Sequence, residues 1–292
     1  MPADALALVL VAALLHATWN LVAKKAGGNH HFVFACALAV GLLWLPAALW
    51  VGVGEVAQWP PLAWAAVLGS AVVHLAYFSA LLKGYRVADL TVVYPVARGT
   101  GPLLSALGAV LLLGEALTPS GVLGLAGIVT GIVLLAAGPT LWRPVHDREV
   151  AARRLRGLRW GLLTGALIAG YTVIDGYAIK VLLLSPVLID YFGNLLRIPF
   201  QAPLIWRDRA GFVPALRTQW RHVLVVAALG PLAYILVLYA MRLAPLSHVA
   251  PAREVSMLVA AVLGGQLLGE RDRGWRLLGA ACVTAGVVLL AW

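Results

Sequence analysis

The residues able to do chemistry in this chain are few, and nearly all of them interrupt long apolar runs. His16, Trp19 and Asn20 are spaced i, i+3 and i+4, so a helix puts them on one face. Ser70, His74 and Tyr77 share a face in the same way, and Tyr171, Thr172 and Asp175 form a third group. Tyr94 and Arg98 stand one turn apart, and Pro95 and Pro102 each remove a backbone donor beside them. Arg253 and Glu254 follow Pro251, and Tyr234 is a candidate aromatic wall. An ionisable side chain in lipid costs about 2.5–3.5 kcal/mol on insertion scales, so each of these needs a partner or a cavity. Together the groups suit a zwitterion. An arginine could hold its carboxylate, and a tyrosine or a carboxylate its ammonium group.

Blander roles stand beside these. His16 and Asn20 could be interhelical contacts, and His74 a buried hydrogen-bonded histidine. Arg98, about 10 Å inside its helix end, could snorkel. Asp175 could carry a proton or sit in a structural ion pair. Arg197 suggests a pair with Asp190 or Glu254. Glu115 and Glu270 read as polar helix termini, and Gly69, Gly101, Gly161, Gly165, Gly264 and Gly265 as close-packing positions.

Other chemistries lack their signatures. His16, His74 and His248 fall on separate segments, with no Cys or carboxylate at ligand spacing, so no metal site is expected. No HExxH, no paired carboxylates at catalytic spacing, no Ser-His arrangement with a third partner and no Walker A sequence is present, which argues against an enzyme and against direct ATP-driven pumping. Cys36 and Cys282 lie inside apolar segments and suggest neither a disulfide nor a reactive thiol. No cofactor is implied.

The elements that must position these groups are membrane spans. The 292 residues are 62% hydrophobic and 12% charged, with a mean hydropathy of +0.92. A soluble domain carries about twice that charge. Ten segments are long enough to cross a hydrocarbon core of about 30 Å. They run over 3–23, 32–53, 62–83, 90–113, 120–138, 158–179, 186–206, 221–241, 246–268 and 275–292. Helices are expected, because lipid offers exposed backbone groups no partner. Thr118 and Pro119 suit the start of the fifth. The first segment has no basic region before it, so it reads as a span and not as a cleaved signal.

The net charge of +10 follows the same layout. Of 22 Lys and Arg, 17 fall in the loops after segments 1, 3, 5, 7 and 9, which makes that side cytoplasmic. Both termini then face outward. The basic loops report topology and anionic lipid, not nucleic acid.

The chain also repeats itself. An offset of 155 maps Leu112-Leu113-Gly114-Glu115 onto Leu267-Leu268-Gly269-Glu270, Arg98 onto Arg253, Gly124 onto Gly279 and Gly131 onto Gly286. It also maps Asn20 onto Asp175 and Lys25 onto Lys180. Residues 1–138 form one five-span unit, 139–157 a basic linker and 158–292 the second unit. An odd span count per unit turns the second upside down, an inverted-topology repeat with its site near the midplane. Arg98 and Arg253 are then expected in opposite leaflets, each helping to close one end of a cavity.

Each half resembles an EamA domain of the drug/metabolite transporter superfamily. The resemblance rests on His16-Ala17-Thr18-Trp19-Asn20 with Lys24-Lys25, on the block from Arg98 to Glu115 continued by Gly124 and Gly131, and on its echo from Arg253 to Gly286. It implies an all-α, ten-helix bundle in a bacterial-type inner membrane, with a cavity lined chiefly by spans 1, 3, 4, 6, 8 and 9. It also implies secondary transport of small metabolites, often amino-acid export. A flippase or multidrug exporter of the same fold is the alternative. Proton coupling is open, as is the oligomeric state.

Overall fold

The computed structural model describes residues 1–26, 29–137, 147–256 and 273–291, and everything described is helix, turn or loop. The expectations placed on Leu267–Glu270, Gly264, Gly265, Arg271, the linker residues 139–146 and the side chains of Lys24, Thr91, Arg273 and Arg276 lie outside the described residues.

Twelve α-helices are described. They are α1 (Ala3–Lys25), α2 (His30–Leu43), α3 (Leu45–Gly52), α4 (Pro61–Val87), α5 (Leu90–Leu113) and α6 (Pro119–Ala137). After the linker come α7 (Arg148–Lys180), α8 (Pro186–Leu195), α9 (Ile198–Arg207), α10 (Arg209–Leu243), α11 (Leu246–Ala252) and α12 (Arg273–Ala291).

Local sequence explains the ends. Asn29 and Asp147 cap α2 and α7, accepting bonds from the Phe32 and Glu149 amides. The Thr118 hydroxyl accepts from the Gly121 amide at 3.0 Å, the cap expected for α6. Helix α5 runs unbroken through Pro95 and Pro102 and stops at Gly114, whose φ of +68° is left-handed.

Among the described residues, five helices are long and apolar enough to cross a membrane: Ala3–Ala23, Pro61–Val87, Val92–Leu113, Arg148–Lys180 and Arg209–Leu243. A sixth crossing is available if α2 and α3, bent by 47° at Trp44, count as one. Hydropathy alone gave ten uniform segments, and the helices depart from that in particular places. The segment expected over 186–206 breaks at Leu196–Arg197 into two ten-residue helices. In contrast, α7 and α10 extend to 33 and 35 residues. Helix α7 therefore takes in residues 148–157 of the expected linker.

Exposure runs opposite to that of a water-soluble protein. Leu42, Trp50, Leu111, Leu112 and Trp206 are all more than 70% exposed, whereas Asp175 and Glu254 are each 1% exposed. An apolar exterior around a charged interior is what a lipid solvent requires, and this is a multi-pass membrane protein.

Packing brings the halves together. Helix α7 lies against both α4 and α5, α1 against α10, and α6 against α12. At the last contact the backbones nearly touch. A Cβ on Gly124 would sit 2.7 Å from the Gly286 oxygen, and one on Gly131 would sit 2.6 Å from the Gly279 oxygen. Gly101 and Gly165 make a similar approach between α5 and α7, but Gly69, expected to pack closely, has nothing within 4 Å.

Both ends of the chain meet. The Met1 amino group donates to the Ala291 carbonyl at 2.9 Å. Nearby, Glu115 clamps the start of α11. Its Oε1 accepts from the Leu246 amide at 2.7 Å, and its Oε2 from the Ser247 amide and hydroxyl at 2.9 and 2.8 Å. Lys180 Nζ lies 3.0 Å from Glu115 Oε1. The Gly114 turn aims the carboxylate there, which accounts for the Gly-Glu pair as a structural device.

Candidate functional site

The center of the molecule gathers side chains from α1, α4, α5, α7, α10 and the end of α11. Glu254 stands between two arginines. Arg98 Nε lies 3.3 Å from Glu254 Oε2, and Arg98 Nη1 donates to Oε1 at 3.4 Å. Arg253 Nε is 3.9 Å from the same Oε1. The arginines expected at opposite ends of a pathway thus share one carboxylate. Arg98 reaches this point from within α5, and Glu254 from the turn just after α11. Arg98 also lies over the Tyr94 ring, 5.7 Å from its centroid.

A second group adjoins the first. Asp175 Oδ2 accepts a hydrogen bond from the Tyr234 hydroxyl at 2.5 Å, and Asp175 Oδ1 is buried without a close hydrogen-bond partner, with the Ser70 side chain beside the carboxylate. His74 stacks on Tyr171, with ring centroids 3.6 Å apart and 22° between planes. It meets Tyr234 and Tyr77 edge-on, and its Nδ1 is 2.9 Å from the Ser70 carbonyl and 3.3 Å from the Ser70 hydroxyl. His16 packs edge-on against Trp19 and feels the charges of Arg98 and Arg253.

Nearly all the residues singled out in the sequence therefore converge. Asn20 stands apart: it is exposed, and its amide donates to the His16 carbonyl of its own helix at 2.7 Å. Two contributors carried less weight in the sequence. The Thr172 hydroxyl and Arg197 Nε are buried without hydrogen-bond partners, and the Arg197 charge acts on His74, Asp175 and Asp190. Arg197 was expected to pair with Asp190 or Glu254. Glu254 instead takes Arg98 and Arg253, while the Asp190 carboxylate accepts from Asn194 at 3.1 Å.

The Arg98–Glu254–Arg253 group carries two positive charges and one negative. It can take up one more carboxylate. Asp175, with a buried oxygen beside an aromatic wall, can accept a proton or an ammonium group. A family model described as "EamA-like transporter family" matches residues 4–137 and again 155–292. The chain belongs to the EamA-like transporter family. It carries two EamA repeats of the drug/metabolite transporter type, so a small-molecule substrate and a lipid surround follow from membership. One crystal structure of a protein aligns over 99% of this chain and 96% of its own, with a TM-score of 0.70 at 19% identity, a likeness of fold. No curated protein matches the sequence.

Proposed function

We propose that this EamA protein is a secondary transporter that exports amino acids or similar small zwitterions by alternating access around the central site. The observation that carries the reading is the excess positive charge around Glu254, set beside the Asp175 oxygen that has no close hydrogen-bond partner. One offers a place for a carboxylate and the other for an ammonium group, as a zwitterion needs. The tyrosines and His74 form the wall between them. The protein does no covalent chemistry in this reading and takes no cofactor.

The wider architecture of the proposal is ten spans in two inverted five-span repeats, in a bacterial inner membrane, with both termini outside. Inversion is supported by the contact of α6 with α12. The repeat pairs Gly124 with Gly279 and Gly131 with Gly286, yet Gly124 touches Gly286 and Gly131 touches Gly279. Such crosswise contact between antiparallel copies is the mark of a two-fold axis perpendicular to both helices. That axis lies in the membrane plane, as in inverted repeats.

The test is transport by purified protein in liposomes, with a panel of amino acids and amines, with and without an imposed pH gradient. Saturable movement of a zwitterion is expected, and competition by the matching free carboxylate or amine alone should be weak. If lipid-like amphiphiles move and zwitterions do not, this reading fails. If zwitterion transport ignores the pH gradient, only the proton-coupled version fails.

A further inference from the structure

Away from the central site, the structure assigns a divalent transition-metal site to His30, His31 and Asp208, at the end of the molecule that the basic loops mark as cytoplasmic. Three donor atoms converge there from segments 177 residues apart. His30 Nε2 lies 3.5 Å and His31 Nε2 lies 3.4 Å from the same Asp208 Oδ2. All three ligand atoms fall within 4.8 Å of one another. A tetrahedral ion with bonds of 2.0–2.1 Å to such donors holds them about 3.4 Å apart. The two histidine–aspartate separations already have that length. The donor set, two imidazoles and one carboxylate, suits Zn²⁺, Co²⁺ or Ni²⁺ better than Mg²⁺ or Ca²⁺. Water would fill the remaining coordination positions.

Two further observations support the site. His30 Nε2 is buried without a hydrogen-bond partner, although its ring lies only 4.0 Å from that of His31. Gly211 leaves the space the cluster occupies: a Cβ there would meet His31 Cε1 at 2.8 Å and the Asp208 carboxylate oxygens at 3.2 and 3.3 Å. Without metal, His31 Nε2 lies 2.8 Å from the Asp208 carbonyl, to which it would donate. Binding moves that proton to Nδ1 and turns the Nε2 lone pair to the ion, with no net proton change. The flanking Arg207 and Arg209 oppose a cation and weaken the site without removing a ligand. A bound ion would join the start of α2 to the α9–α10 turn, where Phe34 and Phe212 already pack edge-on. It would thereby fasten the first repeat to the second at this end.

The test is Co²⁺ titration of the full chain, purified in detergent with no polyhistidine tag, followed by visible absorption and then by Zn²⁺ displacement. One equivalent of Co²⁺ should bind with ligand-field bands and be displaced by Zn²⁺. His30→Ala and Asp208→Asn should each weaken binding ~10-fold or more. Both side chains are more than a third exposed, so the metal-free variants should keep the wild-type melting temperature. Metal should raise the melting temperature of the wild type and not of the variants. Absence of Co²⁺ bands in the wild type, or binding by both variants as tight as that of the wild type, overturns the assignment. Transport plays no part in this readout, so the site stands or falls separately from the proposed function.

Discussion

Glu254 has two cationic neighbors and Arg98 has one acidic one, and this asymmetry sets what single substitutions do. Glu254→Gln strands two buried guanidinium groups without a counter-charge, whereas Arg98→Ala leaves Glu254 paired with Arg253. Removing one partner of a buried ion pair costs about 3–5 kcal/mol when it leaves an uncompensated charge. Glu254→Gln should therefore lower the melting temperature in detergent clearly more than Arg98→Ala. An equal loss would mean that Arg253 does not serve Glu254. Arg98→Ala should still fold but lose most transport, because the net positive charge that would attract a substrate carboxylate is gone; normal transport by the folded variant would remove Arg98 from the site. Asp175→Asn tests the ammonium and proton roles of that carboxylate together. It keeps an oxygen to accept the Tyr234 bond and removes the carboxylate. Gradient-driven uptake and zwitterion exchange at equal pH should both fall, and unchanged transport in both assays would exclude Asp175 as proton carrier and as ammonium partner.

Among the elements, the clamp on α11 is the one whose pH dependence can be worked out. Burial raises the Glu115 pKa, but bonds from the Ser247 and Leu246 amides, from Lys180 and from the Ser247 hydroxyl outweigh it and hold the group below its ordinary value. A carboxylate depressed in the folded state stabilizes above its unfolded pKa of about 4.3, and that contribution is lost as pH falls through the lower folded value. The wild type should melt higher than Glu115→Gln by a constant margin from pH 7 to about pH 5, and the margin should close below about pH 4. A margin that closes near pH 6 would mean that Glu115 is not the charged group in the clamp. The glycines give a matching test at the α6–α12 contact. Gly131→Ala drives a Cβ into the Gly279 carbonyl and should cut the yield of folded protein, while Gly69→Ala, with open space around it, should not. Sequence spacing marks Gly69 as a close-packing position and Gly131 only as a repeat-related one, because which neighbor faces each glycine depends on how distant segments pack.

At the scale of the whole molecule, what the sequence makes legible is whatever one segment decides alone. The cost of burying His74, Arg98, Asp175 or Glu254 in lipid marks each as needing a partner before any fold is known. The partner itself depends on how distant segments pack, so the 156-residue link from Arg98 to Glu254 and the 177-residue link from His31 to Asp208 were not legible. Nor were the bend at Trp44 and the break at Leu196–Arg197, because hydropathy is blind to backbone direction. The inverted repeat lies between these cases. Odd span number and basic-loop placement imply it, and the crosswise glycine contact of α6 and α12 supports it. It makes a prediction that a parallel duplication does not. Helices α1 and α7 are repeat-related, ending at Lys25 and Lys180. Inversion puts those ends on opposite faces of the membrane. In a chain with Cys36 and Cys282 replaced, Val181→Cys should react with a membrane-impermeant maleimide added to intact cells, whereas Lys25→Cys should react only after permeabilization. Both positions are exposed, so reactivity reports the side of the membrane. Labeling of both from the same side would rule out inversion.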